Sequence, residues 1–259
     1  MIPSPSPSPG PCTQGAVASI SDRPGLGRAP ATNGAACVAL PGTVLIEAGY
    51  RNQTTAGSGT QTLSTVPNVV VRVGLRGKNE IVAAPPAFSS RNGIDLASGF
   101  SPASGTQDVG IGFKHLLFDG QVVQHALNLF VTLPTGSPNS ASGFTAGLPT
   151  YTLGYSVVVA ASSRVGFSTT QNFIANAAPN ASGSPQRFFT YQPAIAGSYA
   201  LSPSFTLLLQ NQWSFPSGPG AGAGDRALAG LQFSASPNVV LDGEFEANLL
   251  PAPGLSQHA

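Results

Sequence analysis

Along most of the chain apolar and polar residues alternate one by one, the period of a β-strand with two unlike faces. Over 43–51, Val44, Ile46, Ala48 and Tyr50 share one face, and Glu47, Gly49 and Arg51 take the other. Over 68–76, Val69, Val71, Val73 and Leu75 stand opposite Arg72, Gly74 and Arg76. The cleanest stretch sets Val109, Ile111, Phe113 and Leu117 against Gly110, Gly112 and Lys114. It returns with Leu127, Leu129, Val131 and Leu133 against Gln124, Asn128 and Thr132. Next, Tyr151, Leu153, Tyr155, Val157 and Val159 oppose Thr152, Gly154 and Ser156, and Val165, Phe167 and Phe173 oppose Arg164, Thr170 and Asn172. Phe189, Tyr191, Ile195 and Tyr199 oppose Thr190, Gln192 and Ser198; Phe205, Leu207, Leu209, Trp213 and Phe215 oppose Thr206, Gln210 and Gln212. Leu231 and Phe233 oppose Arg226, Gly230 and Gln232; Leu241, Phe245 and Leu249 oppose Asp242, Glu244 and Glu246. The stretch 80–88 is interrupted by Pro85 and Pro86 and does not resolve into two faces.

Tight turns join these strands in pairs, at 77–79, 118–120, 160–163, 201–203 and 236–237. Asp119-Gly120 supplies a residue that tolerates positive φ. Ser202-Pro203 and Ser236-Pro237 put proline where its fixed φ suits a turn and its missing N–H costs no ladder bond. Between the pairs lie Gly/Ser/Pro/Asn-rich loops near 89–106, 134–147, 175–187 and 216–225, any of which could fold inward as a constriction. Short turns alternating with long loops are the signature of an all-β, antiparallel, up-and-down transmembrane barrel. The pattern yields eleven strands, one alone and five hairpins. Bacterial single-chain barrels have even counts, so about twelve strands are expected. The last is expected to be cut short after Leu250 or supplied by the N-terminal segment.

Composition changes the picture in one respect. Only 8% of the residues are charged, against about 25% in soluble domains. With 31 glycines and 24 prolines long helices are disfavoured. No apolar run reaches the roughly 18–20 residues of a membrane helix. What is left is a closed barrel in lipid or a low-charge β-sandwich in water. A sandwich would carry a Lys- and Glu-rich outer face; here the polar face is mostly Gly, Ser, Thr, Asn and Gln. Tyr50, Tyr151, Tyr155, Tyr191, Tyr199 and Trp213 fall on the apolar face, as an interfacial aromatic girdle requires. A net charge of +1 gives no electrostatic case for nucleic acid.

An arginine or lysine on a lipid face costs about 2–4 kcal/mol at the midplane, so parity places the ions in the lumen. The expected lumen-lining residues are Glu47, Arg51, Arg72, Arg76, Lys114, Gln124, Asn128, Arg164, Asn172, Gln210, Gln212, Arg226, Asp242, Glu244 and Glu246. Their mixed signs suit either ion pairs that hold the barrel together or a polar pathway with weak ion selectivity.

Ahead of the barrel (43–259), residues 1–18 read as a Pro/Ser-rich disordered tail and 19–42 as a periplasmic segment. Met1–Cys12 has neither a basic n-region nor an apolar h-region, so a leader is expected beyond the residues at hand. Cys12 and Cys37, the only cysteines, are expected to form a disulfide clasping this segment if the protein is exported. No G-x-S-x-G, H-E-x-x-H or P-loop is present, and the pattern calls for no enzyme activity, cofactor or metal. His115 and His125 lie near one turn on the apolar parity, where an interfacial position fits better than a ligand pair.

The segments Ser19–Gly25 (SISDRPG), Pro41-Gly42 with Val44–Tyr50 (VLIEAGY) and Val66–Leu75 resemble an outer-membrane transporter family. It is the MetA-like β-barrels, labelled for the MetA pathway of phenol degradation. Asp108–Lys114, Leu133–Gly136, Leu201–Pro203 and Ser236–Asn238 fit the same pattern. The resemblance runs from about Ser19 onward. It implies a barrel of about twelve strands in the bacterial outer membrane that passes small solutes, aromatic or hydrophobic ones among them. The partners expected are therefore the lipid bilayer and small-molecule solutes. The competing readings are a non-conducting structural or surface-binding barrel and, behind it, a soluble β-sandwich.

Overall fold

The computed structural model describes residues 36–39, 41–56, 60–93, 102–137, 144–145, 147–179, 185–217, 223–236 and 239–250. Within them the chain is all-β, with thirteen strands in one sheet. These are β1 (Val44–Ala56), β2 (Thr60–Leu75), β3 (Asn79–Ala84), β4 (Phe88–Gly93), β5 (Ala103–Thr106), β6 (Val109–Asp119) and β7 (Val123–Leu133). β8 (Thr150–Ala160), β9 (Val165–Pro179), β10 (Pro185–Ala200), β11 (Phe205–Pro216), β12 (Gly224–Ser236) and β13 (Val239–Leu250) complete it.

Every pairing is antiparallel, and from β6 to β13 each strand pairs with its neighbour in sequence. Earlier in the chain β2 carries both β3 and β4 on one flank, β3 going on to pair with β6 and β4 with β5. Pro85 and Pro86 explain the break between β3 and β4, since neither can donate to a ladder. With β3–β4 and β5–β6 each forming one interrupted stave, thirteen strands make eleven staves, the number the alternation predicts. Residues beyond Leu250, where a twelfth strand was expected, lie outside the described residues.

Eleven alternating staves leave the first and last running the same way. No ladder joins β1 to β13 among the described residues. Their inner faces nonetheless meet, with Arg51 Nη2 of β1 3.8 Å from Glu246 Oε1 of β13.

The tight turns at 77–79, 118–120, 160–163 and 201–203 fall where sequence puts them, while Pro237 of the expected 236–237 turn lies outside the described residues. At the β2–β3 turn Gly77 and Lys78 both take positive φ, 72° and 63°, the backbone that matches the twist of a hairpin. The long loops are shorter than expected, because β4, β5 and the ends of β9 and β10 reach into 89–106 and 175–187. The ladder bonds are made by the main chain, so small polar side chains do not end it.

The outer face is apolar and open. Ile46, Ile111, Phe113, Leu129, Leu153, Phe173, Ile195, Leu209 and Phe245 are all exposed on it. Aromatic rings gather at its two ends. Tyr191 stacks between Phe173 and Phe215 at centroid distances of 5.2 and 6.1 Å, and Phe205 stacks on Phe233 at 4.8 Å. Phe205 and Phe215 mark opposite ends of β11. Ten steps of about 3.3 Å, tilted by about 40°, separate them by about 25 Å along the barrel axis, the height of an apolar band in such barrels. Leu116 keeps the inward parity of Gly112 and Lys114, and a bulge between Leu116 and Phe118 then leaves both Leu117 and Phe118 outside.

Candidate functional site: the inner face of the barrel

The inward positions hold the polar residues, and those near mid-strand are buried. Arg72, Lys114, Gln124, Asn128, Asn172 and Gln212 are buried on this face, while Glu47, Arg51, Gln210, Arg226, Asp242, Glu244 and Glu246 are half-buried. Two expected lumenal residues are elsewhere. Arg76 lies one residue past β2 and Arg164 one residue before β9, both exposed in the turns at the rim. At the rim the wall gives way to solvent, so neither is covered by it.

The ions are drawn into two groups. In the first, Arg72 Nη1 donates to Glu80 Oε1 at 2.9 Å and Arg72 Nε lies 3.5 Å from Glu47 Oε1. Arg72 and Glu80 are wholly buried. Charges this far from water persist only with partners, because a lone buried ion would cost several kcal/mol. In the second group, Arg226 Nη1 donates to Glu246 Oε1 at 3.0 Å, Arg51 approaches the same oxygen, and Arg226 Nη2 also donates to Gln212 Oε1. This second group ties β11, β12 and β13 to β1.

Residues 36–39 of the 19–42 segment lie inside the sheet's curl. Their main chain is held by charged side chains: Ala39 N–H donates to Glu80 Oε2 at 2.7 Å, and Lys114 Nζ donates to the Cys37 carbonyl at 2.7 Å. Ala36 and Val38 rest on Leu116, Ala126, Val158 and Ala160. Cys37 is disulfide-bonded. Cys12, the only other cysteine in the sequence, lies outside the described residues. The Cys37 sulfur sits 3.3 Å from Gln124 Oε1; a disulfide sulfur has no proton, so this is a packing contact.

Further along the axis the inner face turns apolar. Val70, Val82 and Phe130 form a buried cluster with Ala84 beside it. Phe130 fits because β6 offers glycine beneath it: a Cβ on Gly112 would stand 2.5 Å from the Phe130 ring, and one on Gly110 2.3 Å. Toward the long-loop rim, Phe144 of the 134–147 loop is buried against Gly105, with Arg91 of β4 5.8 Å above its ring. Phe144 is thus covered by the sheet rather than left at the surface. Across β7, β8 and β9 runs a belt of neutral groups: Asn128 Nδ2 donates to Ser156 Oγ at 3.0 Å, and Ser156 Oγ lies 3.4 Å from Thr170 Oγ1.

Glu80, Arg91, Phe130, Phe144 and the 36–39 segment escape the alternation. Glu80 and Arg91 flank the double proline that blurs the pattern. Phe130 could have been found from Gly110 and Gly112, two strand glycines on the inward parity that leave room for a ring from the facing strand. The two histidines part company: His115 Nδ1 bonds Asn79 Oδ1 at 2.7 Å, while His125 bonds the Tyr155 hydroxyl under the edge of Phe118. Among the described residues no group of three or more His, Cys, Asp and Glu side chains comes together.

Neither a family model nor a curated relative matches the chain. Solved structures do. One is the COG4313 outer membrane channel from Pseudomonas putida F1, matched over 83% of this chain and 92% of that one at 15% identity and a TM-score of 0.66. Another is the NanC porin, matched over 76% and 85% at 10% identity and a TM-score of 0.50. At such identities the likeness is one of fold: this chain is built as the antiparallel β-barrel of outer-membrane channels.

Proposed function

We propose that the chain is a barrel of the bacterial outer membrane that lets small solutes cross passively, aromatic or hydrophobic ones among them, and that it is a conduit rather than an enzyme. One observation carries the reading: a single sheet that is apolar and aromatic over a height of about 25 Å outside and hydrogen-bonded and ion-paired inside. A soluble sandwich would bury the face that here is open. The finer cargo rests on the buried Val70–Val82–Phe130 cluster and on Leu208 and Leu228, which put apolar surface on an otherwise polar wall. It is also the cargo implied by the MetA-like resemblance. The test is reconstitution in planar bilayers and in liposomes. Discrete conductance steps and accelerated solute flux are expected, together with heat-modifiable migration of the folded protein on a gel. A folded barrel with no conductance and no flux for any solute sinks the proposal.

The second reading, a non-conducting structural or surface-binding barrel, draws on residues 36–39 and Phe144 lying on the inner face. It predicts that excising the 134–147 loop abolishes partner binding while leaving permeability unchanged.

A further inference from the structure

Over most of the inner wall, side chains bond to side chains. At residues 37–39, by contrast, two charged side chains of the wall grip the main chain of a segment outside the described strands. Lys114, 1% exposed, donates a hydrogen bond to the Cys37 carbonyl, and Glu80, wholly buried, accepts one from the Ala39 N–H. Carbonyl and N–H are the two ends of the Val38 unit, and the wall beside it is apolar: Leu116, Ala126 and Val158. Glu47, Arg72, Glu80 and Lys114 balance to zero charge, so the seat suits an uncharged guest.

We propose that Lys114 and Glu80 form a solute-binding pair that residues 37–39 fill by mimicry. The solutes it takes are small and uncharged, joining an amide-like acceptor and donor to an apolar body. This rests on the inner face being the solute pathway. A solute that supplies both ends of the bond pair competes with the segment, and a solute with the acceptor alone leaves Glu80 without its second donor. A buried charged acceptor without that donor is costly, so the discrimination is electrostatic rather than steric.

The probe is N-acetyl-valine N-methylamide, which reproduces the Cys37 carbonyl, the Val38 side chain and the Ala39 N–H. Its control is N-acetyl-valine methyl ester, which lacks that N–H. Binding is measured by calorimetry on the full chain folded in detergent. The amide is expected to bind at least about tenfold tighter than the ester, the worth of one charge-assisted hydrogen bond. Ala39→Pro removes the segment's own N–H and is expected to tighten amide binding. Lys114→Met and Glu80→Gln are each expected to weaken it, with heat-modifiable migration showing that the variants fold. Equal binding of amide and ester, or no binding of either to the wild type and to Ala39→Pro, overturns the proposal. Bilayer recordings on the same preparations separate the two failures. Conductance without amide–ester discrimination removes the binding pair alone, whereas binding without conductance or flux removes the channel.

Discussion

On the wall made by β2, β3, β6 and β7, the buried charges Arg72, Glu80 and Lys114 meet an opposite charge or a main-chain group, and an apolar cluster packs beside them. On the wall made by β8 to β11, no inward strand residue among those described is charged; Ser156, Thr170, Asn172, Ser198 and Gln212 are buried there. Both walls follow one alternation and differ in what leans on them. Residues 36–39 lie against the first wall and the edge of β8, where peptide groups need strong partners. The neutral wall makes weaker, interchangeable contacts. Charge in this barrel thus marks the place where chain meets chain.

The sharpest way to break the comparison is Arg72→Met. It leaves Glu80 and Glu47 without their shared cation, and the expected loss is about 3–5 kcal/mol of stability, read from urea unfolding in lipid vesicles. A loss below about 1 kcal/mol would mean that the charged wall is held no more tightly than a solvated surface. Next comes Leu209→Arg on the open outer face of the neutral wall. About 2–4 kcal/mol is expected if that face meets lipid near the midplane, and close to nothing if it meets water. Gly112→Ala forces the Phe130 ring to move and should cost about 1–3 kcal/mol. Gly243→Ala, where nothing lies within 4 Å of the new methyl group, should stay within about 0.5 kcal/mol. Ser156→Ala in the neutral belt should cost about 1 kcal/mol; a larger value would show that the belt acts as one network with Asn128 and Thr170.

How much of this could be read from sequence divides along physical lines. The staves, their number and the inward or outward sense of Glu47, Arg72, Lys114, Asn128 and Glu246 follow from a period of two, which the pleat enforces residue by residue. The grouping of those ions does not follow, because Arg72 finds Glu80 through strand register, and register is not written in either strand alone. Arg76 and Arg164 keep the right parity but sit in the turns at the strand ends, where their side chains are exposed. Segment 36–39 carries no period; its place comes from Glu80 and Lys114, on the far side of a turn and of a double proline. Phe144 is invisible for a like reason, being a loop residue whose seat is the bare surface of Gly105.

The contacts of residues 36–39 also bear on how the molecule is assembled. They reach β3, β6, β7 and β8, strands that precede β9–β13 in chain order. A half-built, still open sheet thus already offers these partners. The segment can settle against it sideways before the later strands arrive, and the final approach of β13 to β1, with Arg51 meeting Glu246, then shuts it in. Nothing has to be threaded through a finished ring.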